Sequence, residues 1–98
     1  MTWLRGTAAL RADRARKARI SNLPAVQAAL AERDAAHVEA CRLSMISDQL
    51  GTPEAAAAAR EAQSRAAAAY DRHIEVWHEE AAALHPGTDI ELEAAAGP

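Results

Sequence analysis

Large apolar residues recur at helical spacing in two stretches of this chain. From Pro24 to Leu50, the residues Val26, Leu30, His37, Cys41 and Met45 fall within about 100° of arc on a helical wheel. Leu43, Ile46 and Leu50 form a second stripe on the far side, near the end of the same stretch. Two stripes on one helix imply two neighbours, one of which can be another chain. From Pro53 to Leu84, the residues Tyr70, Ile74, Trp77, Ala81 and Leu84 are spaced four, three, four and three apart, which is a heptad seam. Extended backwards, the seam reads Ala67, Gln63, Arg60 or Ala59, and Ala56, so it is small at its start and bulky at its end.

The residues between these stretches punctuate them. Ser21 or Asn22 suits an N-cap, and Pro24 suits a first helical turn, where its missing N–H is harmless. No breaker follows until Gly51, a natural left-handed residue just past a helix end. Thr52, Pro53 and Glu54 then supply a cap, a first-turn proline and an acid at the positive end of the helix dipole. Pro86 disfavours a helical His85, and Gly87 adds freedom, so the second helix should stop near Leu84. Two helices, about 24–50 and 53–84, joined across two residues must double back as an antiparallel hairpin. They would run roughly 40 and 48 Å at 1.5 Å per residue. This register sets Ala58, Ala62 and Ala66 near Met45, Cys41 and His37. It sets Tyr70, Ile74 and Trp77 near Arg33, Leu30 and Val26.

Outside the hairpin, covering residues 21–85, the pattern is weaker. Residues 1–20 have mostly alanine at their apolar positions, with Leu10 and Ile20 as larger members, and read as an arm or a short helix. Residues 86–98 read as a short acidic tail, in which Thr88 and Glu91 have capping-box spacing. The expected fold is all-α: a long antiparallel helical hairpin with a basic N-terminal arm or short helix and a short C-terminal tail.

Composition sharpens this picture. Half of the 98 residues are hydrophobic, but 28 residues are alanine and none is phenylalanine. Alanine is the best helix former, and the scarcity of β-branched and aromatic residues argues against a sheet. Alanine also buries little area, so at about 25 cal/mol per Å² each buried position contributes little. A lone hairpin should be only modestly stable, and an oligomer or a partner would help it. The single cysteine rules out an internal disulfide framework. No apolar run approaches the roughly 20 residues that span a bilayer, and no apolar signal core precedes Arg5. The expected setting is cytoplasmic or particle-associated, without classical export and without a membrane.

The net charge of −3 hides an asymmetry. Residues 1–20 carry Arg5, Arg11, Arg14, Arg16, Lys17 and Arg19 against Asp13 alone, and the remainder carries 5 basic and 13 acidic groups. A basic arm on an acidic body suits docking onto a negative surface, either phosphate or an acidic protein face. Trp3 could anchor such an arm by stacking or burial. No helix-turn-helix spacing or aromatic RNA platform accompanies it.

Three constellations could carry chemistry. Glu75 and His78 form Glu-x-x-His, which resembles the motif of ferritin-like helical hairpins that complete a di-iron site by dimerising. The resemblance implies a carboxylate–histidine metal protein, with Glu32 as the nearest facing acid. On the wheel, however, His78 points about 80° and Glu75 about 140° off the seam, and the positions facing them, 25–28, hold no acid. A solvated flank is the simpler reading. His37 and Cys41, one turn apart, could share a zinc ion, but structural zinc takes four ligands and alanines face this pair. Cys41 beside a histidine also lacks the electropositive pocket of a catalytic thiol, and the four glycines form no phosphate loop.

These readings converge on a non-enzymatic structural or interaction subunit without a cofactor, docking as a hairpin into a larger oligomeric assembly. A phage or other particle component, such as a connector, minor capsid or cement protein, is a fitting setting. Its seam is Val26, Leu30, Cys41, Tyr70, Ile74, Trp77 and Leu84. Its contact residues are Trp3, Arg11, Arg14, Arg16, Lys17, Arg19, Leu43, Ile46 and Leu50. The alternatives are a nucleic-acid accessory protein using residues 5–19, and the metal protein with Glu75, His78 and Glu32.

Overall fold

The computed structural model describes the backbone of residues 2–84 and the side chains of residues 6–84. Among these residues the chain is all-α, with three helices and no strand: α1 (Thr2–Ser21), α2 (Pro24–Leu50) and α3 (Pro53–Ala83). The Trp3 and Arg5 side chains, His85, and the acidic tail with Thr88 and Glu91 lie outside the described residues.

The two junctions follow from local chemistry. Ser21 and Asn22 were expected to cap α2, but α1 continues through Ser21, and the cap position falls to Leu23 without a side-chain hydrogen bond. The reason is Pro24, whose ring forces its predecessor out of the helical region; Leu23 sits at φ −65° and ψ 142°. The end of α1 is closed instead by its own backbone and by α2. The Asn22 N–H donates to Ala18 O at 3.1 Å, the Leu23 N–H donates to Ile20 O at 3.1 Å, and Gln27 Nε2 donates to the Ser21 carbonyl at 2.6 Å. That last bond satisfies a carbonyl the helix end leaves without an internal partner.

The second junction matches its expectation. Gly51 adopts the left-handed conformation at φ 63° and ψ 21°, a region that penalises any residue with a Cβ. Its N–H donates to Ser47 O at 2.8 Å. Thr52 then caps α3, its hydroxyl accepting from the Ala55 N–H at 3.2 Å.

The main packing is α2 on α3. Ser44 meets Gln63, Arg33 meets His73 and Glu32 meets Arg72, so position falls along α2 as it rises along α3. The buried residues between them are small: Ala29, Ala40, Ala59 and Ala62, the last only 1% exposed, with Val26 at the far end. This corrects the expected seam. On α3 the inward line runs through Ala55, Ala59, Ala62, Ala66, Ala69, His73 and Val76, while Tyr70 is 50% exposed and Ile74 is also exposed. The seam is turned by about one residue, or 100°. Alanine lets two helix backbones approach closely, and that closeness leaves little room for bulk along the alanine stretch of the inner line. Trp77, Leu84 and Leu30 are half-buried, and Cys41, placed in the seam from sequence, is exposed.

Helix α1 joins the pair at its C-terminal end. Ile20 is fully buried. Arg16 Nη2 donates to the Ala81 carbonyl at 3.1 Å, and Trp77 Nε1 donates to Ser21 Oγ at 3.3 Å. The result is a long, thin body of 64 × 26 × 15 Å with a radius of gyration of 19.8 Å, against about 13 Å for a compact chain of this length.

The alanine register has a direct test. Ala62→Leu is expected to destabilise the chain by about 1–3 kcal/mol through overpacking. Ala68→Leu, on an exposed position of the same helix, is expected to change stability by less than about 0.5 kcal/mol. Thermal melts of the two variants should separate clearly, and equal melting temperatures would return Ala62 to the surface.

Candidate functional site

The α2–α3 pair has two unlike faces. On one face, His37, Ala40, Cys41, Met45, Gln63 and Ala66 line an open groove of about 430 Å³. Gln63 Nε2 donates to Ser44 Oγ across it at 3.0 Å. Next to the groove, a smaller hollow of about 290 Å³ is edged by Arg33, Asp34, His37, Ala66 and Tyr70. The Arg33 guanidinium lies 5.3 Å from the Tyr70 ring centroid, within reach of a cation–π attraction. Arg33 also sits 3.4 Å from His73 Nδ1 and 3.8 Å from Asp34. Large apolar side chains stand open on this face: Met45 is 63% exposed, and Tyr70 and Ile74 are exposed beside it.

The other face is laced with charge. Glu32 and Arg72 approach to 3.6 Å across the helices. One heptad along each helix, Glu39 lies within the field of Arg65, and Arg65 pairs with Glu61 at 3.0 Å. Glu39 is also gripped by Arg42 through a two-pronged contact, Nε to Oε2 at 2.9 Å and Nη2 to Oε1 at 2.7 Å. That fork, first by its hydrogen bonds and then by charge, holds the Glu39 carboxyl below the usual glutamate range and raises Arg42. Toward the turn, Leu43 and Ile46 are half-buried and Leu50 is 62% exposed.

The expected metal residues do not converge. Glu32 faces Arg72, while Glu75 and His78 are exposed on α3. The His78 ring stands edge-on to Trp77 with centroids 5.4 Å apart. Among the described residues no three or more His, Cys, Asp or Glu side chains gather as a metal site. His37 Nε2 and Cys41 Sγ are 3.6 Å apart on the groove wall, with alanine, serine and methionine as their neighbours in the lining. The Glu-x-x-His spacing was legible in sequence. Its direction depended on the seam, and the true seam points elsewhere.

The basic residues of α1 are distributed rather than gathered. Arg16 is engaged with α3, and Lys17 pairs with Asp13 at 2.9 Å. Arg11, Arg14 and Arg19 are exposed, as is Leu10. No helix among the described residues is long and apolar enough to cross a membrane. Compared with protein families, with curated proteins and with solved structures, the chain matches none. Function must therefore be argued from the faces themselves. The feature missed in sequence is the groove, because Cys41, Met45 and Gln63, which wall it, lie on lines that the spacing reads as packed.

Two outcomes are expected. Elemental analysis of untagged protein should find no stoichiometric iron, manganese or zinc, and a stoichiometric metal would restore the carboxylate–histidine reading. Glu39→Gln should be less stable than the native chain at neutral pH. A carboxylate whose pKa is lowered on folding favours the folded chain above its unfolded value, and that advantage disappears as it protonates. Denaturant melts should therefore converge as pH falls through the lowered Glu39 value, and a constant gap across that window would dismiss the fork as a stabilising contact.

Proposed function

We propose that the chain is a non-enzymatic interaction subunit, an antiparallel helical hairpin with α1 attached, that acts by docking into a larger assembly. One observation carries this reading: large apolar side chains stand outside the molecule while alanines fill its inside. Met45, Leu50, Val38 and Tyr70 are each at least half exposed. A monomer selected to stay alone places such groups inward, and exposed apolar patches with polar rims mark contact surfaces. The open groove between two thin helices suits a protein side chain better than a reacting substrate, which needs enclosure and converging polar groups. A particle component fits this description as one setting among protein assemblies.

The alternative, a nucleic-acid accessory protein using residues 5–19, draws on the exposed Arg14 and Arg19 of α1. It has less support, because Arg16 and Lys17 are engaged within the chain. A phosphate binder of several contacts loses affinity steeply with salt. Duplex binding that is flat between low and physiological salt, or unchanged in an Arg14→Ala/Arg19→Ala double variant, rules it out.

Native mass spectrometry of the chain recovered from its own cells tests the main reading. The expected species are heavier than a single 10.4 kDa chain. Recovery only as the free chain overturns the assignment.

A further inference from the structure

The groove face carries both a hole and a knob. The hole is the hollow floored by Ala40 and Ala66 and walled by Cys41, Met45 and Gln63. The knob is Tyr70, half exposed and held upright by the Arg33 guanidinium. They lie on one face, since both hollows share His37 and Ala66, and they sit about one heptad apart, or roughly 10 Å. A knob and a hole offset along one face cannot meet within a chain. They meet twice when a second copy is laid on the same face in the opposite direction.

We propose that this face pairs with the same face of a second copy, the two running antiparallel, so that Tyr70 and Leu30 of each chain fill the groove of the other. A twofold axis at the level of His37 and Ala66 brings the match about. Residues at distances from that level that agree to within one position face each other: Met45 opposes Leu30 of the second copy, Cys41 opposes Asp34, and Tyr70 opposes Gln63. On the outer edge of α3, Arg60 and Asp71 stand six and five residues to either side of Ala66, so the same operation sets Arg60 over Asp71 twice. A parallel pairing would lay Tyr70 of each copy over Arg33 and Asp34 of the other, the residues at its own level, and leave both grooves empty. This reciprocity is the mark of an isologous interface.

Surface area and charge agree. The accessible surface is 6960 Å² for 10.4 kDa, roughly 1,600 Å² above that of a compact chain of this mass. A standard interface takes roughly 800 Å² from each partner. The opposite face bears the ion pairs Glu32–Arg72, Glu39–Arg42 and Glu61–Arg65, which belong in water. The middle of the groove face, by contrast, is lined by His37, Ser44, Gln63 and apolar groups. The pairing yields a four-helix bundle with these three ion pairs outside and the Arg33–Asp34 contact at the interface.

This inference rests on the reading of the chain as an interaction subunit, and its test is separate. Sedimentation of the purified full chain at about 10 μM, a concentration that populates a dimer of micromolar affinity, should give twice the 10.4 kDa mass. Tyr70→Ala should weaken the dimer at least tenfold while circular dichroism stays helical. Leu50→Ala, exposed at the turn, should leave it unchanged. Asp34→Cys supplies the geometric readout. Its new thiol and Cys41 lie seven residues apart on one helix, roughly 10 Å, too far for an internal disulfide, but they oppose each other between copies. Mild oxidation should give covalent dimers from this variant and not from the native chain. A monomer at that concentration, a dimer weakened by Leu50→Ala but not by Tyr70→Ala, or no covalent dimer from Asp34→Cys overturns the pairing. A monomeric purified chain that is nevertheless found in heavier native species overturns self-pairing alone and leaves the interaction-subunit reading standing.

Discussion

Everything in this chain depends on how closely α2 and α3 approach each other. The inner line is mostly alanine, with Ala29 and Ala40 buried on one helix and Ala59 and Ala62 buried on the other. A methyl group contributes little hydrophobic free energy by itself, but it keeps the two backbones near enough for dispersion contacts along their whole length. The closeness excludes bulk from the middle. Rings and long apolar chains are pushed to the flanks, where they are half-buried or open. An alanine core therefore determines the outside of the molecule as much as the inside.

That logic explains what was legible in sequence and what was not. The helices, the left-handed Gly51 and the Thr52 cap could be read directly, because each rests on one residue's own backbone or hydroxyl chemistry. The seam on α3 was misjudged because Tyr70, Ile74 and Trp77 keep perfect heptad spacing and bulky residues usually face inward. Ala55, Ala59, Ala62, Ala66 and Ala69 keep the same spacing one step over. In an alanine-rich stretch several registers look alike, and the choice falls to long-range packing that no local pattern encodes. The groove was hidden by the same error. The metal motif, already off the expected seam, is off the actual one too, and Glu75 and His78 are exposed.

The alanine line between α2 and α3 and the charged face beside it solve different problems. Pairs such as Glu32–Arg72 are exposed and add little stability on their own. Their value is in register: charges one heptad apart on each helix penalise a slip of α3 along α2, which the uniform alanine line would tolerate. Alanine supplies closeness without specificity, and the charged face supplies specificity with little stability. The groove face, bearing Tyr70 and Met45, is left for contacts beyond the chain.

The joint at Leu23 and Pro24 has a mechanical consequence. Without the proline, α1 and α2 could continue as one rod. With it, the two residues between Ser21 and Pro24 set the angle of a helix roughly 30 Å long, held at its C-terminal end near Arg16, Ile20 and Ser21. A change of ten degrees at that joint moves the far end of α1 by roughly 5 Å. The angle set where Gln27 meets the Ser21 carbonyl is therefore expressed most strongly at the N-terminal end of α1, and the short joint governs the reach of the whole helix.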